Sequence, residues 1–117
     1  MLSIAHDTRI FFAAGATDMR KGFNGLQGIV SGTLEQDPLS GHLFLFVNRR
    51  RDKLKILYWD SDGLAIWYRR LEQGTFQVPR VADDQKSAEI RGEELTMLLR
   101  GIDYRDVKRR KRYSLAS

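Results

Sequence analysis

GHLFLFVNRRRDKLKILYWDSDGLAIWYRRL, residues 41–71, holds three β-branched or aromatic runs separated by short polar gaps. His42 to Val47, Leu54 to Trp59 and Leu64 to Leu71 have the length and composition of strands, and the Asn/Asp/Gly-containing gaps read as hairpin connections. Asp60-Ser61-Asp62-Gly63 offers a Gly for the positive φ of a tight turn. Leu43-Phe44-Leu45-Phe46-Val47 is apolar on both faces of the pleat, which predicts a central strand covered on both sides. Between Arg49 and Lys55 five cations stand against one acid. A hydrophobic meander therefore carries a basic edge.

Outward from this meander the pattern is less regular. Arg9 to Ala13 reads as a short first strand ended by Gly15. Thr17-Asp18 then offers a helix N-cap. Met19, Phe23, Leu26, Ile29, Val30 and Leu34 recur at three- and four-residue steps, which predicts a helix over 18–34 with one apolar face. Gly22, Gly25, Gly28 and Gly32 oppose that reading, each at ~1 kcal/mol relative to Ala, unless they form a small-residue face against the sheet. Asp37 to Gly41 is a turn. Beyond Leu71, Glu72-Gln73-Gly74 reads as a turn, and Thr75 to Val78 as a fifth short strand stopped by Pro79. Arg80 to Ser87 reads as a polar surface loop, and residues 92–100 as a short helix closed by Gly101. The expected fold is α+β: an antiparallel meander of about five strands, packed by one longer and one short helix. Residues 1–104 are expected to make a single domain, and 105–117, rich in charge, a mobile basic tail.

Charge narrows the function. Residues 105–112 hold six cations against one acid, which accounts for the whole net charge of +5. Outside that segment and 49–55 the chain is net −4. Charge gathered in two short places argues for a polyanionic partner. The absence of cysteine excludes disulfides and thiolate sites and suits a reducing cytoplasm. Neither a signal peptide nor a membrane-spanning run is expected, so the predicted location is cytoplasmic.

The blocks Thr17 to Leu26, Asp37 to Phe46, Asn48 to Asp60, Asp62-Gly63 and Tyr68 to Gly74, followed by Leu98 to Asp103, resemble in order and spacing the accessory proteins encoded by the second open reading frame of the insertion-sequence-66 family of bacterial transposons. The resemblance spans about Arg9 to Asp103. It implies a role in transposition beside a separate transposase that carries the strand-transfer chemistry. It implies no catalytic residues.

The candidate nucleic-acid contacts are Arg49, Arg50, Arg51, Lys53 and Lys55 at the hairpin, Arg69 and Arg70 on the following run, and Lys108, Arg109, Arg110, Lys111 and Arg112 in the tail. Arg forks match phosphate oxygens with two parallel bonds; the competing role is a charged turn that blunts a sheet edge. For the tail, the competing roles are solubility and docking to an acidic protein. Tyr58, Trp59, Trp67 and Tyr68 beside these cations offer base stacking, against the commoner role of strand aromatics in the core. Alternation places Trp67 with Arg69 on one face and Tyr68 with Arg70 on the other. A phosphate at the backbone of Asp18 to Lys21 is opposed by the Asp18 charge.

Enzyme signatures are missing. Asp60 and Asp62 begin like a calcium loop but lack its remainder. His6 and His42 are the only imidazoles and stand far apart. Asp83-Asp84 and Glu93-Glu94 read as solvated pairs, and Ser61 and Ser87 have no nucleophile context. No metal or other cofactor is expected. The reading is a non-catalytic accessory factor binding DNA backbone, or alternatively a module that docks to the transposase without touching DNA.

Overall fold

Leu43–Val47, buried at every position, forms β2 at the centre of a five-stranded sheet. This computed structural model describes residues 4–101. Lys53–Asp60 (β3) and Gly63–Arg70 (β4) complete the meander antiparallel to β2, in register from Val47↔Leu54 to Asp60↔Gly63. On the other side of β2 lies Ile10–Ala13 (β1), and beyond it Ser87–Ile90 (β5), giving the order β4-β3-β2-β1-β5. The three-run reading of 41–71 therefore holds, with β2 covered on both faces as its unbroken apolarity requires.

Two features of the sheet differ from expectation. β1 and β2 are parallel, with Ile10↔Leu43 and Phe12↔Leu45 in register, so the sheet is mixed, though mostly antiparallel. Parallel neighbours need a long crossover, and residues 14–42 supply it. The fifth strand is Ser87–Ile90, antiparallel to β1, rather than Thr75 to Val78. Only Ile90 of those four residues is buried, because an edge strand is held by backbone pairing and has little need of apolar side chains. Thr75 to Val78 instead crosses the end of the β2–β3 hairpin, with Phe76 buried beneath it.

The crossover helix is shorter than 18–34. Asp18 to Lys21 forms a turn, α1 runs Phe23–Gly28, and the chain then widens into a π-helical segment, Ile29–Thr33, in which Leu34 N–H donates to the Ile29 carbonyl. Asp18 does not cap the helix; Gly22 does, without a side-chain bond. Asp18 instead accepts the Arg20 backbone N–H at 2.9 Å, an Asx turn that holds the chain out of helix. The apolar stripe is as expected: Leu26, Val30 and Leu34 pack on Phe11, Phe44, Phe46 and Leu57. The glycines are not a sheet-facing stripe. A Cβ at Gly22, Gly28 or Gly32 would meet nothing within 4 Å, and at Gly25 only the Lys21 side chain.

The opposite face of the sheet buries Ile10, Phe12, Leu43, Leu45, Leu54 and Ile56 under Phe76 and the helix α2, Gly92–Leu99, through Leu95 and Leu98. α2 ends as predicted: Gly101 takes φ +75°, and its N–H donates to the Leu98 carbonyl. Gly41, closing the Asp37 turn, has φ +89°. In the β3–β4 turn the positive φ falls on Ser61 (58°) rather than Gly63, because the two-residue loop is Ser61-Asp62 and Gly63 already pairs with Asp60. No helix among the described residues is long and apolar enough to cross a membrane.

Candidate nucleic-acid interface

The β2–β3 hairpin is built around Asn48. Its Oδ1 accepts the backbone N–H groups of Asp52 and Lys53 at 3.1 and 3.0 Å, and its Nδ2 donates to Asp52 Oδ1 at 2.7 Å. That donation is the largest of the effects that hold the Asp52 carboxyl below the ordinary range. Asn at the start of a turn commonly bonds backbone groups ahead of it, so this clamp was a signal available before the arginines that follow. Neighbouring segments brace the tip as well. Leu71 N–H donates to Asp52 O and Phe76 N–H to Arg51 O, each at 2.7 Å, while Thr17 N–H donates to Val47 O at 2.7 Å.

On this braced loop Arg49, Arg50 and Arg51 are all exposed. Among the described residues, none of the three has a carboxylate within salt-bridge distance. Arg51 sits at φ 60°, a left-handed conformation that costs a side-chain-bearing residue ~1–2 kcal/mol.

Other expected contacts are arranged differently. Lys55 is not on the surface: it is 8% exposed, and its Nζ donates to the carbonyls of Met19 and Lys21 at 2.8 Å each. It staples the crossover to β3, because a buried ammonium needs acceptors and the Asp18 turn presents two. Lys53 is half-buried. Arg69 donates to the Leu99 carbonyl at 2.9 Å and lies 4.9 Å over Trp67, on the α2 side of the sheet. Arg70, on the α1 side, pairs with Glu72 at 2.9 Å. Residues 108–112 lie outside the described residues. Of the aromatics, Tyr58 is buried, which pushes its hydroxyl pKa up. Trp59 and Trp67 are half-buried, and Tyr68 is 49% exposed.

Two concavities flank the tip. One, about 600 Å³, lies between residues 16–20 and the meander, and Arg49, Arg50, Lys53 and Tyr68 line it. The second, about 610 Å³, lies between residues 14–16 and 78–85, with Arg49, Arg51 and Arg80 on its wall. Arg49 belongs to both. Arg20 and Arg80 lie outside the expected contact set: Arg20 stands in sequence beside Lys21 and the opposing Asp18, Arg80 stands alone, and only the fold brings either to the tip. Arg20 is partly spoken for: its guanidinium grips Asp18 at 2.7 Å, and that bond is the main cause of an Asp18 pKa lowered to about 2.

The remaining candidates have structural explanations. His42 Nδ1 accepts the Arg9 N–H at 3.0 Å, and its ring stands edge-on to Phe11. Among the described residues no three His, Cys, Asp or Glu side chains gather as a metal site.

The sequence matches the family model described as IS66 Orf2 like protein over residues 8–109. Similar relatives include two uncharacterized proteins of Sinorhizobium fredii (strain NBRC 101917 / NGR234). One, y4jC, is 36% identical over 110 residues, covering 94% of this chain and 92% of the relative. The other, y4hO, is 36% identical over 105 residues and 90% of each chain. No solved structure matches. The family match begins before β1 and runs past α2, taking in every strand and helix described above, and on that ground the chain belongs to the IS66 Orf2-like proteins.

Proposed function

We propose that this protein is a non-catalytic, cytoplasmic accessory factor in transposition of a bacterial insertion sequence, and that it binds DNA backbone through the arginine hairpin and the basic segment 105–112. Membership of the IS66 Orf2-like family associates it with transposition and with the element's transposase. The observation that carries the DNA reading is the state of Arg49, Arg50 and Arg51: three guanidinium groups on a braced turn, exposed, with no carboxylate in salt-bridge range among the described residues. Guanidinium groups so placed suit phosphate oxygens, and the braced loop reduces the ordering cost of binding. Arg51 adds weight, since a bulky cation occupies a conformation where Gly or Asn is the usual choice.

Titration of the protein against duplex DNA at several salt concentrations tests this. The logarithm of the affinity should fall linearly with the logarithm of salt, by ~0.9 per neutralised phosphate. Replacing Arg49, Arg50 and Arg51 together with Ala should weaken binding equally across sequences and flatten that slope by roughly 3, with thermal stability retained. Affinity and slope unaltered by the triple replacement would remove the hairpin from the contact set. Removing residues 105–117 should lower affinity further.

A second reading, docking to the transposase without DNA, draws on Asp83 and Asp84, both exposed, with Asp83 on the wall of the second concavity. Capture of the transposase without DNA affinity at any salt concentration would favour it.

A further inference from the structure

The concavity on the α1 side of the hairpin combines two features that duplex backbone binding does not need together. Its wall carries Arg20, Arg49, Arg50 and Lys53 against the single carboxylate of Asp18, which is already engaged by Arg20. In the midst of these cations stands Tyr68, an aromatic residue on a strand with about half of its surface exposed. Aromatics on strands usually pack inward when a core is available, and the other face of β4 shows this, with Trp67 half-buried against the main core. Tyr68 has no such cover. Its cross-strand partner is Lys55, whose ammonium lies 4.8 Å from the ring centroid and is itself fixed by two carbonyls. The ring therefore rests on a rigid floor. The next pair on the same face of the ladder, Lys53↔Arg70, sets two cations directly opposite each other, an arrangement that costs stability unless an anion is close. Glu72 offsets Arg70 from an exposed position, and Asp52 partly offsets Lys53 and Arg50, whose charges help to lower its pKa.

We infer that this groove takes an unpaired nucleotide, with its base stacked on Tyr68 and its phosphates held by Arg49, Arg50 and Lys53, so that the preferred ligand is single-stranded DNA, or duplex with a single-stranded end. Cations tracking the backbone with an aromatic ring for the base is the general design of single-strand binding, and it tolerates any sequence. The volume, about 600 Å³, lies within the ~300–1,000 Å³ range of small-ligand sites. The inference rests on the DNA-binding reading above and narrows it to one class of DNA.

Binding isotherms of the full chain with a dT oligonucleotide, a rU oligonucleotide and a blunt duplex of equal length, at one salt concentration, decide it. Tyr68→Ala should weaken dT binding about 5- to 150-fold and leave blunt-duplex binding unchanged. Tyr68→Phe should keep the wild-type affinity, since stacking needs the ring and not the hydroxyl. Melting curves of both variants guard against loss of fold. If blunt duplex binds as tightly as dT, or Tyr68→Ala weakens both alike, the stacking site is overturned while DNA binding stands. A clear preference for rU overturns the assignment to DNA. Failure to bind any of the three overturns the DNA reading itself.

Discussion

Lys55 Nζ lies 4.8 Å from the centroid of the Tyr68 ring, directly across the β3–β4 ladder. The same ammonium donates to the carbonyls of Met19 and Lys21, so one buried cation ties the crossover, the meander and the exposed aromatic together. Lys55→Met keeps the apolar stem and removes both charge-assisted bonds. Each such bond contributes about 1.5–3 kcal/mol, and the carbonyls regain only part of that from water. The variant should lose about 2–3 kcal/mol in denaturant unfolding. Stability equal to wild type would mean that the Asp18 to Lys21 turn does not depend on this contact.

Gly28 should tolerate a side chain. It has helical dihedrals, φ −62° and ψ −37°, at the junction of α1 with the π-helical segment, and a Cβ there would meet nothing within 4 Å. Gly28→Ala should therefore stabilise the protein by about 0.5–1 kcal/mol, through reduced freedom of the unfolded chain. A drop in melting temperature would show that the π-helical turn needs more backbone latitude than these dihedrals indicate.

Acid should unfold the protein through a small set of carboxyls. Asp18 is lowered to about 2 by its bond from Arg20, and Glu89 lies below its usual value through its bond from Arg9. For a carboxyl with a lowered folded pKa, the stabilisation is complete above the unfolded-state value near 4 and is lost as pH falls through the folded value. For Asp18 that window runs from roughly pH 4 down to 2. Asp18→Asn should show a smaller loss of melting temperature than wild type between those pH values. Parallel curves for the two proteins would show that the Asp18–Arg20 pair adds nothing to folding.

The meander and the basic hairpin were legible because their signals are local: unbroken apolar runs, turn residues between them, and cations adjacent in sequence. What escaped was set by distance along the chain. Ser87 to Ile90 becomes a strand only because β1 offers it a free edge, and its own composition, with one buried residue, carries little sign of that. Lys55 reads as part of a charged cluster, yet its place on the pleat opposite Tyr68, with two carbonyls above it, turns it inward. The likeness of Asp18 to a helix cap was misleading for a similar reason. An Asx turn and an N-cap share the same residue, and the choice went to the turn because Lys55 holds those carbonyls. Of the candidate site, the three arginines were legible, while Arg20 and Arg80 reach the tip only through the fold.

Arg51 allows fold and function to be separated at one position. Its φ of 60° costs ~1–2 kcal/mol for a residue with a Cβ and nothing for Gly, whose freer unfolded chain returns about 0.5–1 kcal/mol of that gain. Arg51→Gly should thus leave folding stability equal to wild type, or raise it by up to about 1.5 kcal/mol. The backbone carbonyl that accepts Phe76 N–H is retained, so the brace on the hairpin survives the change. DNA affinity should nevertheless fall, and its salt slope should lose about one unit, because one phosphate partner is gone. A turn that merely blunts a sheet edge makes the opposite forecast, with Gly at no disadvantage in binding. A stabilised variant with wild-type affinity and slope would show that this guanidinium touches no DNA, and a destabilised one that Arg51 is held in place by contacts within the fold.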